Sequence, residues 1–256
     1  MIKLGFIGTG TIAAAFIEGL VSSGRRNPIL VSPRSQHVAR ALAARFDTVS
    51  LGGSNVAVAE GSDIIFLAMR PAQVEVALRG VVFRPGQIVC SFVTGLSVAE
   101  LATIAPTASV CRVLPLPAIA LGKGPVIHFP RVPEIVSLLS GLGELVMPRH
   151  ESELVAMGGV SGVMSTVLNL QAALVRWMEG RGVEAASADL YARALFSGLA
   201  ETALRTPKPL DVLADEHQTK GGLNERTRRC LSESGWFHHV GDALDTVQNI
   251  SRKELS

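Results

Sequence analysis

The sequence is poor in aromatic residues and carries almost no excess of charge of one sign. Phe, Trp and Tyr make up 5% of its 256 residues, too few to build the stacking platforms that bind single-stranded nucleic acid. The formal net charge is +2, and the basic residues are scattered along the chain rather than concentrated in one stretch. This distribution argues against nucleic acid or an anionic membrane as the main partner.

Cysteine is also scarce, and its spacing excludes two classes of site. Cys90, Cys111 and Cys230 are far apart and odd in number, so they form neither a C-x-x-C metal pair nor a disulfide framework. We predict that all three are small buried core residues and that the protein holds no metal. No segment resembles a signal peptide, and we expect no apolar stretch near the roughly 20 uncharged residues of a membrane span. A cytoplasmic protein is expected.

The first 149 residues alternate short apolar runs with amphipathic segments of helical period. The apolar runs lack polar alternation, which is typical of strands covered on both faces in a parallel sheet. This pattern predicts a doubly wound α/β domain over residues 1–149, with a mostly parallel sheet. The predicted strands are Leu4–Ile7, Ile29–Ser32, Ile64–Leu67, Ile88–Phe92, Val110–Leu114, Pro125–His128 and Glu144–Met147.

Residues 150–256 contain helical patterns and no convincing strand. Leu154–Glu179 and Ala185–Arg205 are long and rich in Ala, Leu, Val and Met. Their apolar surface is too large for an isolated small bundle, so we expect it to pack against a second subunit. The pattern therefore predicts an all-helical domain for the substrate and for dimerisation, with shorter helices at Leu210–His217, Leu223–Glu233 and Phe237–Glu254.

A glycine-rich motif joins the first predicted strand to the first helix. Gly8-Thr9-Gly10-Thr11-Ile12-Ala13 has the pattern G-x-G-x-x-A, a form of the dinucleotide-binding fingerprint of Rossmann-like domains. Gly8 permits the tight turn, Gly10 permits close approach of a pyrophosphate, and Ala13 permits close packing of helix and strand. The helix N-terminus offers free N–H groups and partial positive charge to the phosphates.

The end of the second strand indicates which dinucleotide binds. A site selective for NAD would place Asp or Glu there, whereas this chain has Ser32, Arg34 and Ser35 and no acid. A guanidinium can make paired, charge-assisted contacts to a 2′-phosphate, and the two hydroxyls can donate hydrogen bonds. The sequence therefore favours NADP(H).

A second candidate site is the segment Thr219-Lys220-Gly221-Gly222, directly before a predicted helix that begins with Leu223 and Asn224. Consecutive glycines at a helix N-terminus expose N–H groups to an anion, and a substrate carboxylate is the expected guest. Lys220 either strengthens this capture or donates a proton, and Asn224 offers a hydrogen-bond donor. His217 is a further candidate acid.

Several of these segments resemble the pyrroline-5-carboxylate reductase family over nearly the whole chain. The resemblance rests on Gly5 to Ile12, Arg34-Ser35, Ala68-Met69-Arg70-Pro71, where the family has V-K-P, and Cys111 to Pro115, where it has R-x-M-P. Further matching segments are Val160-Ser161-Gly162, Gly221-Gly222 and Arg252-Lys253-Glu254-Leu255.

The resemblance implies hydride delivery from NAD(P)H to a cyclic imine, as in L-proline biosynthesis, by a dimer interlocked through its helical domains, with larger assemblies of dimers also known. It implies that Ala68, Met69, Arg70 and Pro71 contact the cofactor, and that Ser161 and Leu116 lie beside the substrate. Two segments depart from the family pattern. Leu114-Pro115-Leu116-Pro117-Ala118 replaces M-P-N-T-P-A, and Thr219 to Asn224 replaces S-P-G-G-T-T.

The sequence thus predicts an NADPH-dependent reductase of a small cyclic imino acid bearing a carboxylate. Thr219, Lys220 and Asn224 are the predicted catalytic residues, and Gly221, Gly222, Ser161 and Leu116 the predicted substrate contacts. Two alternatives remain open: reduction of another imine or oxo acid, with Lys220 or His217 supplying the proton, and a non-catalytic NADP-binding module.

Overall fold

The computed structural model describes the backbone of residues 1–254 and the side chains of residues 1–248. The Arg252-Lys253-Glu254-Leu255 motif therefore lies outside the described side chains. The chain divides into two compact units, Met1–Gly158 and Gly159–Ser256. This division falls inside a helix, whereas the sequence prediction put the boundary just before that helix, between residues 149 and 150.

The first unit is a Rossmann-like, doubly wound domain built on a sheet of eight strands, in the order β3-β2-β1-β4-β5-β6-β7-β8. All neighbouring strands are parallel except β6 and β7, which are antiparallel. The mostly parallel sheet predicted from the sequence is thus confirmed. The strands are β1 Leu4–Ile7, β2 Ile29–Val31, β3 Val49–Leu51, β4 Ile64–Leu67, β5 Ile88–Ser91, β6 Ser109–Leu114, β7 Pro125–Phe129 and β8 Glu144–Val146.

Helices cover both faces of this sheet, which is why its central strands have no polar side. Each residue of β1, β4 and β5 is buried. One of the two apolar layers contains a cluster of four phenylalanines, in which Phe6 and Phe66 stack with ring centroids 4.7 Å apart and Phe16 and Phe92 complete the group. The helices of this unit are α1 Thr11–Ser22, α2 Gln36–Arg45, α3 Asn55–Glu60, α4 Val74–Leu78, α5 Val98–Ile104, α6 Pro133–Leu139 and α7 Glu151–Val160, whose last two residues lie past the division.

The sequence pattern did not predict strand β3, because β3 is short and two of its three residues are exposed to solvent. Val49 is buried, but Ser50 and Leu51 are exposed, and the strand pairs on one side only. Such an edge strand needs few apolar residues, so it leaves little signal in the sequence.

The prediction for the cysteines holds at two of three positions. Cys90 and Cys111 are buried and lie opposite each other on β5 and β6, where burial raises the pKa of the Cys90 thiol. Cys230 is exposed on the helix Leu223–Glu233, so its prediction as a core residue was wrong. A helix with a wide polar face leaves positions at which a cysteine contacts no core.

A buried ion pair joins the end of the sheet to the first turn of α7. Arg112 of β6 is 3% exposed, and its Nη1 donates to Glu151 Oε1 at 2.7 Å. The same oxygen accepts from the backbone N–H of Val98, at the start of α5, at 2.9 Å. The Glu151 carboxylate thus links β6, α5 and α7. These contacts fix the position at which the chain leaves the sheet after β6.

His128 is the other buried polar group of this region, and its two ring nitrogens have different partners. The Nε2 atom accepts from the Val132 N–H at 3.0 Å, and Nδ1 faces the carbonyl of Arg112 at 3.1 Å. This arrangement requires a neutral ring with its proton on Nδ1. Burial lowers the pKa of His128 from its usual 6.5, although the contact with Arg112 opposes the shift.

The pKa of His128 is lower in the folded protein than in the unfolded chain. At a pH between these two pKa values, the unfolded chain therefore binds more protons than the folded protein. Stability from His128 is therefore complete above about pH 6.5 and is lost as the pH falls from there toward the folded pKa. We expect urea unfolding at pH 8, 6.5 and 5.5 to show this decline. His128→Gln, which cannot titrate, should show a smaller decline over the same interval, and equal slopes for the two proteins would contradict the assignment.

The second unit consists of helices in its described part. They are α8 Met164–Glu179, α9 Ala185–Arg205, α10 Leu210–Glu216, α11 Leu223–Glu233 and α12 Trp236–Glu254, so the predicted helical C-terminal region is confirmed. The long helix predicted over Leu154–Glu179 is interrupted, because a 3-10 turn at Ser161–Val163 separates α7 from α8.

The segment that contains α7 and α8 contradicts the expectation that no apolar stretch approaches the length of a membrane span. Residues 154–175 contain no charged side chain. By length and composition Glu151–Glu179 could cross a membrane, since an 18-residue window within it has a mean hydropathy of 1.3. Only 6% of that apolar window is buried within one copy of the chain. The expectation was wrong because glycine, serine, threonine and amide residues lower the hydropathy of this segment without adding charge.

Candidate functional site

A cleft of about 680 Å³ lies at the carboxyl ends of the central strands of the first unit. This is where the strand order reverses, because β2 and β4 lie on opposite sides of β1. Ligands of doubly wound sheets bind at this position. The cleft is lined by Gly8, Thr9, Gly10, Thr11, Ile12, Ser32, Arg34, Ser35, Asn55, Ala68, Met69, Arg70, Pro71, Gln73, Ala77, Phe92 and Thr94.

The structure brings together all eleven residues that the sequence proposed for the cofactor. They come from the loops after β1, β2 and β4, three segments far apart in sequence. Sequence reasoning missed Thr9, Asn55, Gln73, Ala77, Phe92 and Thr94. The loop after β5 followed a predicted strand, so its position at the carboxyl edge was the available signal for Phe92 and Thr94. Asn55 and Ala77 gave no such signal, because α3 and α4 were not predicted.

Gly8 occupies a position where the protein itself excludes any other residue. Its φ is +94°, and a Cβ there would lie 2.4 Å from the carbonyl oxygen of Ala68. The loop after β1 therefore passes directly against the loop after β4, and glycine is required for this contact.

Gly10 differs, because no atom of the described residues lies within 4 Å of where its Cβ would be. It is the N-cap of α1, with extended backbone that any residue can adopt, and no side chain caps the helix. The first turn of α1 also contains no acid. An open approach to the uncapped, positive end of a helix is the geometry that binds a phosphate group.

Ser32 and Thr9 fix the glycine-rich loop to the end of β2. Ser32 is fully buried, and its Oγ accepts from the Gly8 N–H at 2.9 Å. The Thr9 hydroxyl donates to the Ser32 carbonyl at 3.0 Å. In the structure Ser32 thus holds the loop in place, a contribution that the sequence prediction of a phosphate contact did not include.

Arg34 lines the cleft, is exposed, and makes no ion pair or hydrogen bond within the described part of the chain. Ser35 is the N-cap of α2, and its side chain caps no backbone N–H. No Asp or Glu is among the residues that line the cleft. Arg34 also lines a second cavity of about 500 Å³. This end of the cleft offers uncompensated positive charge and a free hydroxyl to an anion.

The opposite end of the cleft is formed by the loops after β4 and β5. It includes Met69, Arg70 and Pro71 from the first loop, and Phe92 and Thr94 from the second. Arg70 is exposed and, like Arg34, has no ion pair among the residues that the structure describes. Among the described residues that line the cleft, these two arginines are the only charged ones.

Leu116, predicted beside the substrate, is in the same unit but does not line this cleft. It is the N-cap of a 3-10 helix, Pro117–Leu121, which packs against α1. The contact is close, because a Cβ on Gly19 would lie 2.4 Å from the carbonyl oxygen of Ile119. The shortened segment after β6 is therefore folded back onto α1, and a substrate contact of Leu116 remains a proposal.

The Thr219–Asn224 segment lies in the second unit, at the turn between α10 and α11. Gly221 has a φ of +74°, and a Cβ on Gly222 would lie 2.9 Å from the Thr219 carbonyl oxygen, so the turn itself requires both glycines. Lys220 is exposed and has no partner within the described residues. Asn224 Nδ2 donates to the His217 carbonyl at 2.7 Å, which leaves one amide hydrogen and the carbonyl oxygen available.

The backbone donors of this turn correct one expectation from the sequence. The Gly221 N–H donates to the carboxylate of Glu225, and the Gly222 N–H donates to the Thr219 carbonyl at 2.8 Å. The N–H groups that the sequence predicted to be free are thus already hydrogen-bonded within the chain. The Glu225 carboxylate, in the first turn of α11, accepts from the Gly221 N–H.

The remaining candidates have structural partners. The Nδ1 of His217 contacts the Leu213 carbonyl at 2.8 Å, as expected for a histidine that ends a helix. Ser161 begins the 3-10 turn before α8 and is partly exposed. Over the described residues no three His, Cys, Asp or Glu side chains are grouped so that they could hold a metal.

Comparison with known proteins shows what this chain is similar to. Residues 3–95, which include every residue in the cleft lining given above, match the family model described as NADP oxidoreductase coenzyme F420-dependent. The chain is 25% identical to pyrroline-5-carboxylate reductase 1 of Bacillus spizizenii, over 99% of this chain and 89% of that protein.

Two solved structures share the fold over the full length. The pyrroline-5-carboxylate reductase of Coxiella burnetii is 22% identical with a TM-score of 0.85, and the pyrroline carboxylate reductase of Plasmodium falciparum, solved with NADP bound, is 18% identical with a TM-score of 0.83. Each alignment covers 100% of this chain and 98% of the other. Over nearly its whole length this chain is thus similar in sequence to a pyrroline-5-carboxylate reductase, and it shares the fold of two others.

Proposed function

We propose that this protein is an NADPH-dependent reductase of a small cyclic imino acid, with pyrroline-5-carboxylate as the first substrate to test. The observation that carries the proposal is the cleft at the reversal of strand order, where an uncapped helix N-terminus, an unpaired Arg34 and a lining without acids are combined. It is supported by the full-length relatives, which are pyrroline-5-carboxylate reductases.

The residues of the cleft fit NADPH in charge and in space. Gly10 leaves room for the pyrophosphate beside the N-terminus of α1, where a side chain would stand in the cleft. Arg34 and Ser35 suit the 2′-phosphate, since a guanidinium binds phosphate through paired charge-assisted hydrogen bonds. An acid that would hold the two ribose hydroxyls of NAD is absent from the lining.

NADPH, when bound, supplies the hydride, and the protein supplies position and electrostatics. A cyclic imine is mostly protonated near neutral pH, so its reduction needs no strong protein acid. The loops after β4 and β5 would hold the reacting end of the cofactor, in a largely apolar environment of Met69, Pro71 and Phe92. An apolar environment strengthens the few polar contacts made there and limits access of water.

We assign capture of the substrate carboxylate to Lys220, with Thr219, Gly221, Gly222 and Asn224 shaping the turn that presents it. Lys220 has no partner within the described residues, so its charge is available to an anion. The Gly221 N–H becomes available to a substrate carboxylate when the exposed contact with Glu225 opens. Ser161 and Leu116 complete the proposed set of substrate contacts.

We further propose that the protein is a cytoplasmic homodimer, in which the second unit forms the subunit interface, with larger assemblies built from such dimers. Leu168, Trp177, Leu190, Tyr191 and Leu204 are each more than half exposed in one copy of the chain. Large apolar side chains on two neighbouring helices indicate a surface that another chain covers. A second subunit accounts for the apolar Glu151–Glu179 run without a membrane, and no nucleic acid partner is proposed.

The test is NADPH oxidation at 340 nm with pyrroline-5-carboxylate, beside larger and smaller cyclic imines and a set of 2-oxo acids. Turnover of pyrroline-5-carboxylate is the expected result. Turnover of oxo acids alone would replace the proposal with the second candidate, which the altered Thr219–Asn224 turn favours. NADPH binding without any turnover would favour a binding module instead.

Lys220→Ala should lower kcat/KM for the imino acid by about ten- to a hundredfold, because a charged hydrogen bond contributes about 1.5–3 kcal/mol. The affinity for NADPH, measured by calorimetry, should not change. Asn224→Ala should also lower turnover, since it removes both a donor and the brace to His217. Lys208→Ala, which removes an equal charge from the same unit outside this turn, is the control. Lys220→Ala turnover equal to that of the control would contradict the assignment.

A further inference from the structure

The cleft has a direction, because its two ends differ chemically. It crosses the carboxyl ends of β2, β1, β4 and β5, three strand intervals of about 4.8 Å, and is therefore about 14 Å wide. Arg34 and Ser35 lie at the β2 end, and the glycine-rich loop lies near the middle. If that end takes the adenosine half of NADPH, as the proposed function requires, the nicotinamide and the substrate lie at the β5 end.

Polar side chains are few at this end. The loops after β4 and β5 line the cleft with three apolar residues besides Ala68, and with two polar ones, Arg70 and Thr94. Gln73 also lines the cleft, and it directly precedes α4. Ala77 of α4 lines both cavities together with Arg34, so we place Gln73 toward the adenosine end. Arg70 carries a positive charge that would repel a protonated imine. Thr94 is thus the neutral polar group at the β5 end.

The hydroxyl of Thr94 is also free to act. Thr94 is exposed, and no hydrogen bond to its side chain occurs within the described residues. The cleft lining contains two other threonines. Thr11 is the first residue of α1, and Thr9 is buried and donates to the Ser32 carbonyl. A threonine hydroxyl both donates and accepts, so it can bind a ring nitrogen before and after reduction.

We infer that Thr94 recognises the reacting nitrogen of the substrate and selects protonated cyclic imines over oxo acids. This inference rests on the proposed function and specifies its substrate class. The iminium N–H donates to Thr94 Oγ1, which orients the C=N carbon toward the incoming hydride. As the new C–H bond forms, the π electrons of C=N become the lone pair on nitrogen, and the N–H proton stays in place. A neutral hydroxyl suits this chemistry and is too weak an acid to protonate a ketone oxygen.

The test compares Thr94→Val, which removes the hydroxyl at nearly constant shape, with Thr94→Ser, which keeps it. For the best imine substrate, Thr94→Val should lower kcat/KM by about tenfold or more, whereas Thr94→Ser should stay within about threefold of the wild type. The NADPH dissociation constant should be unchanged in both. Binding of the product amine to the NADP⁺ complex, measured by calorimetry, should weaken in the valine variant only.

Each other outcome overturns the inference. Wild-type kcat/KM in Thr94→Val would show that the hydroxyl is not used, and weaker NADPH binding would assign Thr94 to the cofactor. Equal losses in the valine and serine variants would indicate a steric role. Because the side chain is exposed, both variants should keep the thermal unfolding midpoint of the wild type. Failure of the wild type to reduce any imine would instead contradict the proposed function, so the two failures are distinguishable.

Discussion

Arg34→Ala should raise the KM for NADPH by about ten- to a hundredfold and leave the KM for NADH almost unchanged. The expected size follows from the loss of charge-assisted hydrogen bonds worth about 1.5–3 kcal/mol, where each 1.4 kcal/mol corresponds to a factor of ten. NADH lacks the 2′-phosphate, so it loses nothing. Steady-state kinetics with each cofactor, together with calorimetric titration of NADP⁺ and NAD⁺, would measure both effects.

Arg40→Ala is the matched control for this experiment. Arg40 is exposed on α2, close in sequence to Arg34, but it lines neither cavity. Its replacement removes the same charge and should change the KM for NADPH only slightly, through the long-range potential. Equal effects of the two variants would indicate that Arg34 acts through general charge. Equal weakening of NADPH and NADH by Arg34→Ala would contradict the assignment to the 2′-phosphate.

Alanine substitutions at Gly8 and Gly10 should separate stability from binding. Gly8→Ala places a Cβ at 2.4 Å from the Ala68 carbonyl oxygen and forces a positive φ on alanine. Strain and overlap together should destabilise the fold by about 3 kcal/mol or more, which lowers the unfolding midpoint by about 6–12 °C. Scanning calorimetry without ligand measures this change.

Gly10→Ala should have the opposite profile. Its Cβ meets no protein atom within 4 Å, and the backbone of Gly10 is extended, so stability should change by about 1 kcal/mol or less. The methyl group would stand in the path of the pyrophosphate, and the dissociation constant for NADPH should rise by about tenfold or more, comparable to 1.4 kcal/mol. Normal NADPH binding by folded Gly10→Ala would show that the phosphates do not approach this helix end.

The sequence alone determined most of the architecture of the first unit and the origin of eleven of its cleft residues. Strands β1 and β4 match their predicted bounds because strands buried on both faces are continuous apolar runs. The glycine-rich motif and Arg34 could also be located without a structure. Each follows a predicted strand, and the carboxyl ends of parallel strands meet at one edge of the sheet. Such local and topological rules need no knowledge of side-chain contacts.

Only the tertiary structure decided what depends on contacts between distant segments. It distinguished Gly8, which the protein requires, from Gly10, which is left open, because only the position of Ala68 separates them. It showed that Glu225 occupies the Gly221 N–H, a pairing set by the turn between α10 and α11. It also showed that the Thr94 side chain lines the cleft and has no hydrogen-bond partner among the described residues. Sequence patterns record which face of a strand or helix is buried, whereas the partners of a polar group are fixed only when the segments pack.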